Sequence, residues 1–277
     1  DGGRHNEQKD AMAQQLKITV TPLKNWNIIG EMNIKTDNNW NHWEQFVVYS
    51  HYKDNPENTY TALTSANKDQ VSEYSLKTTY LNPTVYSNYN FSLKEKHNFT
   101  VLGGFQAEIM KYRDMEGART GLVTTDLPVL NLTTDADSYT LKGLYKNWKN
   151  AGFFGRINYN WKNLLIASAS IRYEGSTKFG ADHKWGAFPS LSLAWEMANM
   201  GFLKDHQNIV QSLKPRVSYG VTGRSDFDCY QSLATYGSHK NAQLNVTDTY
   251  LMDGAWVTGY APSVNANSKL GWEKSVS

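Results

Sequence analysis

The sequence has 277 residues, of which 13% are aromatic, with 28 basic and 26 acidic side chains and a net charge of +2. This balance argues against a nucleic-acid-binding protein, which would carry a clustered basic face. No stretch approaches the roughly 18 apolar residues of a membrane-spanning helix. The single cysteine, Cys229, excludes an internal disulfide.

The first predicted strands form an antiparallel pair. The run LKITVTP alternates apolar and polar side chains from Leu16 to Pro22, and WNIIGEMNIK does so from Trp26 to Lys35. Such alternation is typical of a strand with one apolar and one polar face. Residues 23–25 between the two runs predict a short turn.

A long polar segment, Asp37–Ser72, follows and predicts an extended loop. It contains the run NNWNHWEQF, in which two tryptophans stand among amide side chains. Because aromatic rings and amides together suit sugar binding, Trp40 and Trp43 are candidate ligand contacts on this loop. The alternative is that these rings pack within the loop or mark a membrane interface.

Further alternating runs follow in pairs. PTVYSNYNF and HNFTVLGGFQA flank the short connection LKEK, and a second long polar segment spans Glu108–Leu141. GFFGRINYNW and LLIASASIRYEG then flank a turn at Lys162–Asn163. The runs WGAFPSLSLAW and LKPRVSYGVTG come next, separated by Met197–Ser212, where we expect a helical turn. A third long segment spans Arg224–Ser268.

The alternation sorts the side chains of the later runs into two faces. One face carries polar and charged residues in mid-strand, and its candidate members are Arg156, Arg172, Glu174 and Arg216. The other face is apolar, and its candidate members are Trp185, Leu191, Leu193 and Trp195.

Three features favour a membrane barrel over a soluble sheet. Several runs reach the roughly 9–11 residues that a tilted membrane strand needs. Aromatic residues lie near the ends of the apolar faces, and short turns alternate with long loops, as in membrane barrels. We therefore predict an all-β protein, an antiparallel up-and-down transmembrane β-barrel segment of about nine strands with long loops on one rim. The apolar face would contact lipid, and the polar face would line a wet lumen.

The motifs in this region resemble one family of transporters. The series GRINYNW, IRYEGSTKFG, KWGAFPSLSLAWEM and LKPRVSYGVTG, with NSKLGWEKS near the end, closely resembles the barrel of SusC/RagA-type TonB-dependent outer-membrane transporters. The sequence departs from the family pattern at Glu174, Arg224 and Ser268, where Asp, Asn and Pro are usual, and none of these departures breaks the alternation.

The resemblance implies import of glycans or peptides across a bacterial outer membrane. It also implies TonB as the energy-coupling partner and a SusD-like surface lipoprotein that covers the barrel. Since both ends of the sequence read as cuts, we expect residues 1–277 to be a partial barrel domain. The family's plug domain and remaining barrel strands would then lie elsewhere in a longer polypeptide.

Two alternatives remain open from the residues themselves. A soluble, secreted carbohydrate-binding β-sandwich would bury the apolar face against a second sheet. A β-rich glycosidase would need two converging carboxylates, but Glu174 and Asp182 fit a charged loop tip better. The seven histidines have no metal-ligand spacing, and no nucleotide-binding motif occurs. We therefore expect no catalytic residue, metal or cofactor.

Overall fold

The computed structural model describes residues 2–61, 68–201, 211–238, 240–241, 246–247 and 249–277. The strands of these residues are β1 (His5–Leu23), β2 (Trp26–Gln45), β3 (Tyr49–His51), β4 (Thr59–Thr61), β5 (Gln70–Leu93), β6 (His97–Thr120), β7 (Tyr139–Trp161), β8 (Leu165–Ser176), β9 (Trp185–Trp195), β10 (Arg216–Arg224), β11 (Thr235–Ser238), β12 (Lys240–Asn241), β13 (Val246–Thr247), β14 (Thr249–Met252), β15 (Ala255–Thr258), β16 (Tyr260–Val264) and β17 (Glu273–Val276).

Nine of these strands form one sheet in the order β1-β2-β5-β6-β7-β8-β9-β10-β17. Among the described residues, each strand of this sheet therefore pairs with its neighbours in chain order, and four small two-stranded ribbons, β3-β4, β11-β16, β12-β13 and β14-β15, lie in the connections. The predicted all-β class and the number of strands are confirmed. Within the described residues, β1 and β17 are the two ends of this sheet and do not pair with each other.

Tight hairpins at three predicted turns set the pairing of the long strands. Asn25, Lys94, Glu95, Lys162 and Asn163 all adopt positive φ angles. Positive φ angles give a turn a twist that matches that of the flanking strands. Lysine and glutamate are unusual in this conformation, so the residue types at these turns do not indicate the positive φ angles.

The strands extend well beyond their predicted limits, so the predicted loops were too long. Within the segment Asp37–Ser72, β2 continues to Gln45 and β5 already begins at Gln70. Likewise β6 continues to Thr120 and β7 begins at Tyr139. Both faces of these strand ends carry polar side chains, so no hydrophobic alternation reveals them. Hydrogen bonding to neighbouring strands holds them in the sheet.

Short 3-10 helices lie in three of the connections, at Leu130–Leu132, Ala181–His183 and Met197–Asn199. The last confirms the helical turn expected in Met197–Ser212, although residues 202–210 of that connection lie outside the described residues. None of the described helices combines the length and apolar character of a membrane-crossing helix.

Contacts divide the chain into two compact units. The first comprises residues 1–15, 33–81 and 109–147. It contains the β3-β4 hairpin and the segment between β6 and β7, where Leu122 and Thr133 form an isolated bridge. Asp135 anchors that segment, since its carboxylate accepts hydrogen bonds from Lys68 Nζ at 2.6 Å and Thr120 Oγ1 at 3.0 Å. The ammonium of Lys68, followed by the Thr120 hydroxyl, lowers the pKa of Asp135.

The second unit comprises residues 16–32, 82–108 and 148–277. Its central strands pair in a continuous antiparallel register, with Arg156 opposite Ser170 and Ser170 opposite Ser190. At the far side β10 pairs with β17, and Arg224 lies opposite Glu273.

Burial contradicts the soluble sandwich. That hypothesis requires the large apolar side chains of β9 to be buried beneath a second sheet, but Trp185, Leu191, Leu193 and Trp195 are 49%, 57%, 45% and 42% exposed. Buried apolar side chains are scattered among the described residues, at Ile29, Val71, Ala118, Phe179, Phe188 and Ala198. The described part of the chain therefore exposes the apolar side chains of β9 and forms no sandwich core.

Candidate functional site

The register of β7, β8 and β9 gathers polar side chains on one side of the second unit, which we call the polar face. Side chains at directly opposed positions share a face of a sheet. Asn158 lies opposite Ser168, and the Ser168 hydroxyl donates to Asn158 Oδ1 at 2.7 Å. The hydroxyls of Ser170 and Ser190 also lie 2.7 Å apart. The candidates Arg156 and Arg172 belong to this face.

Arg172 is the centre of a polar network on this face. Its Nε donates to Glu174 Oε2 at 2.5 Å, and its Nη1 donates to Gln106 Oε1 at 3.1 Å. Nearby, Asn150 Nδ2 donates to Glu108 Oε2 at 3.2 Å. The side chain of Glu174 is only 12% exposed, so the arginine compensates a carboxylate that is largely withdrawn from water.

This network borders a cavity of about 540 Å³. The cavity is lined by Glu108, Asn150, Arg172, Glu174, Phe188, Ser190, Gly220, Val221, Thr222, Gly223, Ser225 and Trp272. Charged groups, amides and hydroxyls surround two aromatic rings in this lining. Such a surface can hydrogen-bond a polar ligand and stack against its apolar parts.

An aromatic cluster supports one side of the cavity. The ring centroids of Phe188 and Trp272 lie 5.1 Å apart, and those of Phe179 and Trp272 lie 5.0 Å apart. The Trp272 indole N–H donates to the carbonyl of Lys184 at 2.8 Å. Gly223 allows this packing, since a Cβ there would overlap the Phe188 ring.

The opposite side of the sheet, which we call the apolar face, carries the other candidates. Leu193 of β9 lies opposite Ala167 of β8 and Val217 of β10. Tyr173 and Trp185 stack with their ring centroids 5.1 Å apart. A shallow groove of about 330 Å³ crosses this face where the small side chains of Ala167 and Ala169 lie between larger ones.

Arg216 extends the polar face to the next strand, because it lies opposite Ala194 of β9 and its neighbour Val217 lies opposite Leu193. Both Arg156 and Arg216 are exposed. The structure thus separates the predicted polar candidates from the predicted apolar candidates, although lumen and lipid as their surroundings remain predictions.

The candidate tryptophans lie in strand β2, so their predicted position on a loop is wrong. Trp43 borders a cavity of about 550 Å³ in the first unit, lined also by His5, Asn41, Ser72, Tyr74 and Glu116. We call this the Trp43 cavity. Trp40 is three positions away and points to the other side of the strand, where it stacks on His42 with ring centroids 6.0 Å apart. The two tryptophans therefore do not form one platform.

Two amide oxygens near Trp43 have no donor from the protein. Asn39 Nδ2 donates to Glu7 Oε1 at 3.0 Å, but its Oδ1 is buried without a hydrogen bond, and so is Oδ1 of Asn41. Buried acceptors normally have a partner. A ligand carrying hydroxyl or N–H donors would supply one to Asn41.

A tyrosine pair lies beside this cavity. Tyr112 donates its hydroxyl proton to Asp114 Oδ2 at 2.7 Å. The carboxylate of Asp114, followed by the hydrogen bond with Tyr74, raises the pKa of Tyr112, which therefore stays protonated at physiological pH.

Several of these residues were missed from the sequence. Gln106 lies within the recognised run HNFTVLGGFQA and Glu108 directly follows it. The two residues are on alternate positions, so continuing the alternation by one residue would have found them. Asn150 and Trp272 gave no such signal, since their roles depend on strands and segments distant in the chain. Among the described residues, no group of three or more His, Cys, Asp or Glu side chains is arranged to hold a metal ion.

Comparison with known proteins identifies the family. Residues 6–277 match the sequence profile of the TonB-dependent receptor-like β-barrel. The chain belongs to this family. It is of the SusC/RagA type, and members of this group are proteins of the bacterial outer membrane.

The relatives and solved structures agree on this assignment. The chain is 31% identical over 201 residues to TonB-dependent receptor P39 of Formosa agariphila, a match that covers 69% of this chain and 17% of P39. It is 36% identical over 125 residues to TonB-dependent receptor SusC of Bacteroides thetaiotaomicron, covering 44% of this chain and 12% of SusC.

The fold also matches a structure of the RagAB peptide transporter, with a TM-score of 0.77, 20% sequence identity, and coverage of 98% of this chain and 28% of the matched chain. The chain spans about a sixth of the length of the curated relatives it matches, 17% of one and 18% of another. By their names these relatives are receptors and transporters, not enzymes.

Proposed function

We propose that this chain forms part of the wall of a TonB-dependent importer that takes up an oligomeric nutrient, either an oligosaccharide or a peptide. The observation that carries the proposal is the division of the sheet into one apolar and one polar face in a member of an outer-membrane barrel family. A wall with these two faces can contact lipid on one side and pass a polar solute on the other.

The proposal assigns a role to each face. Trp185, Leu191, Leu193 and Trp195 contact lipid, and Arg156, Arg172, Glu174 and Arg216 line the lumen. The chain itself carries out no catalysis and needs no cofactor. The remaining barrel strands and the plug belong to other parts of a longer polypeptide.

The proposed partners follow from the family. TonB supplies the force that remodels the plug, and a SusD-like surface lipoprotein covers the outer opening. The RagAB neighbours, which are peptide transporters by name, support a peptide, and the family resemblance also allows a glycan, so the cargo is to be found by experiment.

Uptake measurements in the native host test the importer. We expect deletion of the gene to abolish the uptake of one labelled oligosaccharide or peptide from a panel, and a strain without TonB to show the same defect. Uptake of every panel member at the parental rate in the deletion strain would contradict the proposal.

We further propose that Trp43 contacts the cargo. Its ring borders a cavity with amide, hydroxyl and carboxylate groups, whereas Trp40 points away from that cavity. We expect Trp43→Ala to raise the half-saturating cargo concentration up to about tenfold, since one good stacking contact contributes about 0.5–1.5 kcal/mol. Trp40→Ala is the matched control and should leave this concentration unchanged. Equal effects of the two substitutions would remove the reason for choosing Trp43.

A further inference from the structure

Three cations lie together on one side of the first unit. Lys77 of β5 and Lys111 and Arg113 of β6 are all exposed. The backbone N–H of Gly121 donates to the carbonyl of Asp69 at 2.8 Å. Counting inward from this bond along the antiparallel strands places Lys77 directly opposite Arg113, with Lys111 diagonal to Lys77. We call these three residues the basic cluster.

The basic cluster and the Trp43 cavity lie on opposite faces of the sheet. Tyr74 and Glu116, which line the cavity, are directly opposed in the same register. Lys77, Lys111 and Arg113 are an odd number of positions from these residues, and successive side chains of a strand alternate between faces.

The cluster is not neutralised by the protein. Within the described part of the chain, none of its three side chains forms an ion pair, although other cations of this unit do, such as Lys142 with Glu116 and Lys68 with Asp135. The nearest carboxylate along β5, Glu73, is already bound to His42 Nδ1 at 2.7 Å. Like charges directly opposed on neighbouring strands are destabilising, so an external anion bound between these cations would stabilise the strand pair.

The sequence of each strand shows where this anion would be. Along β6, the positions that share a face with Lys111 and Arg113 are Phe99, Val101, Gly103, Phe105, Ala107 and Ile109. Along β5, the corresponding positions before Lys77 are Phe91, Tyr89, Ser87, Val85, Pro83, Leu81 and Thr79. Both strands thus run from a tight turn through an uncharged, mostly apolar stretch to the cations.

The length of this stretch matches a bilayer. From Phe99 to Ile109 a strand advances about 33 Å. Tilted by about 45°, it rises about 23 Å, close to the roughly 25 Å apolar band of outer-membrane barrels. The cations therefore begin where the hydrocarbon ends, on the face that continues the apolar stretch, and at the end of the strand opposite to the tight turn.

We propose that the basic cluster binds the phosphate groups of an anionic glycolipid in the outer leaflet of the outer membrane. Lys77 and Lys111 act as point charges, and the guanidinium of Arg113 can bind a phosphate through two parallel N–H bonds. Tyr145 lies opposite Arg113 in the antiparallel register counted from the Lys162 N–H bond to the Lys96 carbonyl, is 52% exposed and supplies an amphipathic ring at the same level. The site depends on the membrane location of the protein and not on its cargo.

Lipid binding by the full-length protein tests this proposal. The probes are diphosphoryl lipid A, the same lipid with both phosphates removed, and inorganic phosphate, each titrated against protein in a neutral detergent. We expect Lys77→Gln, Lys111→Gln and Arg113→Gln together to weaken binding of diphosphoryl lipid A about a hundredfold, since each cation near an anionic headgroup contributes about fivefold. Raising the salt concentration should weaken wild-type binding as well.

The matched control removes three cations elsewhere. Lys24, Lys94 and Lys96 are exposed in the tight turns at the other end of the strands. Their joint replacement by Gln should leave lipid A binding at the wild-type value. If the triple variant of the cluster does not fold, Lys111→Gln alone should still cost about fivefold.

Three results would overturn the proposal. The first is equal wild-type affinity for the phosphorylated and dephosphorylated lipids, and the second is wild-type affinity in a folded cluster variant. The third is competition by inorganic phosphate at the same concentration as lipid A, which would indicate a site for free anions.

Discussion

His42 lies between two carboxylates on the same side of the first unit as Trp40. Its Nδ1 lies 2.7 Å from Glu73 Oε1, and its Nε2 lies 3.4 Å from Glu44 Oε2. Arg4 Nε donates to the other oxygen of Glu44 at 2.6 Å. Partial burial lowers the pKa of His42, but the hydrogen bonds and charges of Glu73 and Glu44 together outweigh it and raise the pKa above its usual value.

This arrangement predicts that the stability of the protein depends on pH. Because the folded-state pKa of His42 is raised, protonated His42 stabilises the fold fully below the unfolded-state pKa of about 6.5. That contribution is lost as the pH rises through the folded-state value. We expect the thermal midpoint of the wild type to exceed that of His42→Gln near pH 6 and the gap to shrink by about pH 9. A gap that is constant with pH would mean that His42 acts only by packing.

Gly180 provides a second test at the scale of one residue. Its N–H donates to the carbonyl of Leu270 at 3.1 Å, and a Cβ at this position would overlap the Ser268 carbonyl oxygen. We expect Gly180→Ala to lower the free energy of unfolding by about 1–3 kcal/mol, since backbone atoms must shift to admit the methyl group. Gly30→Ala is the control, because nothing lies within 4 Å of that position. Similar unfolding midpoints for both variants would refute the overlap.

At the scale of the element, the sequence predicted strands well where one face is apolar. The runs around Arg172 and Leu193 alternate cleanly, and the structure places them in β8 and β9 as expected. The outer part of β2, around Trp40 and Trp43, could not be predicted because both of its faces are polar. There the strand is maintained by backbone bonds to neighbours, such as the Glu44 N–H to the Arg4 carbonyl at 2.9 Å. The candidate cavities could not be predicted from the sequence either, because each is assembled from residues of several strands.

Strand β9 tests the assignment of the two faces. Leu193 is on the apolar face, and Ser192, opposite Ser168 and Ser218, is on the polar face. We expect Leu193→Arg to destabilise the membrane-inserted protein by about 1–2 kcal/mol, which is less than the cost of arginine at the middle of the bilayer because Leu193 is two residues from the end of β9. Ser192→Arg, which adds the same group one residue away, should insert normally. The measurement is the amount of folded protein in outer-membrane fractions. Equal amounts of the two variants would contradict a lipid-facing Leu193.

At the scale of the whole molecule, the nine-stranded sheet ends in β1 on one side and β17 on the other. A sheet within a bilayer must satisfy every backbone group, and unpaired edges promote association with other chains. Every side chain of β1 is exposed, so the described residues leave that edge of the sheet uncovered.

We therefore expect residues 1–277 expressed alone to form mixed oligomers in detergent. The longer polypeptide that we propose, whose further strands would pair with β1 and β17, should elute as one species. Size-exclusion chromatography with light scattering distinguishes the two cases. A folded, monodisperse monomer of 31.4 kDa from the isolated chain would show that these strands satisfy their own edges.

The pairing of Arg224 with Glu273 has an evolutionary consequence. The chain leaves the sheet after Arg224 and returns at Glu273, which lies directly opposite. Trp272, one residue before the return, donates a hydrogen bond to the Lys184 carbonyl and so anchors the chain there. Insertions, deletions or replacements of the segment between these two positions need not disturb the backbone pairing of the strands. Sequence changes during evolution can therefore alter the connection of residues 225–272 without altering the pairing of β10 with β17, provided that Ser268, Leu270 and Trp272, which contact the rest of the unit, are kept.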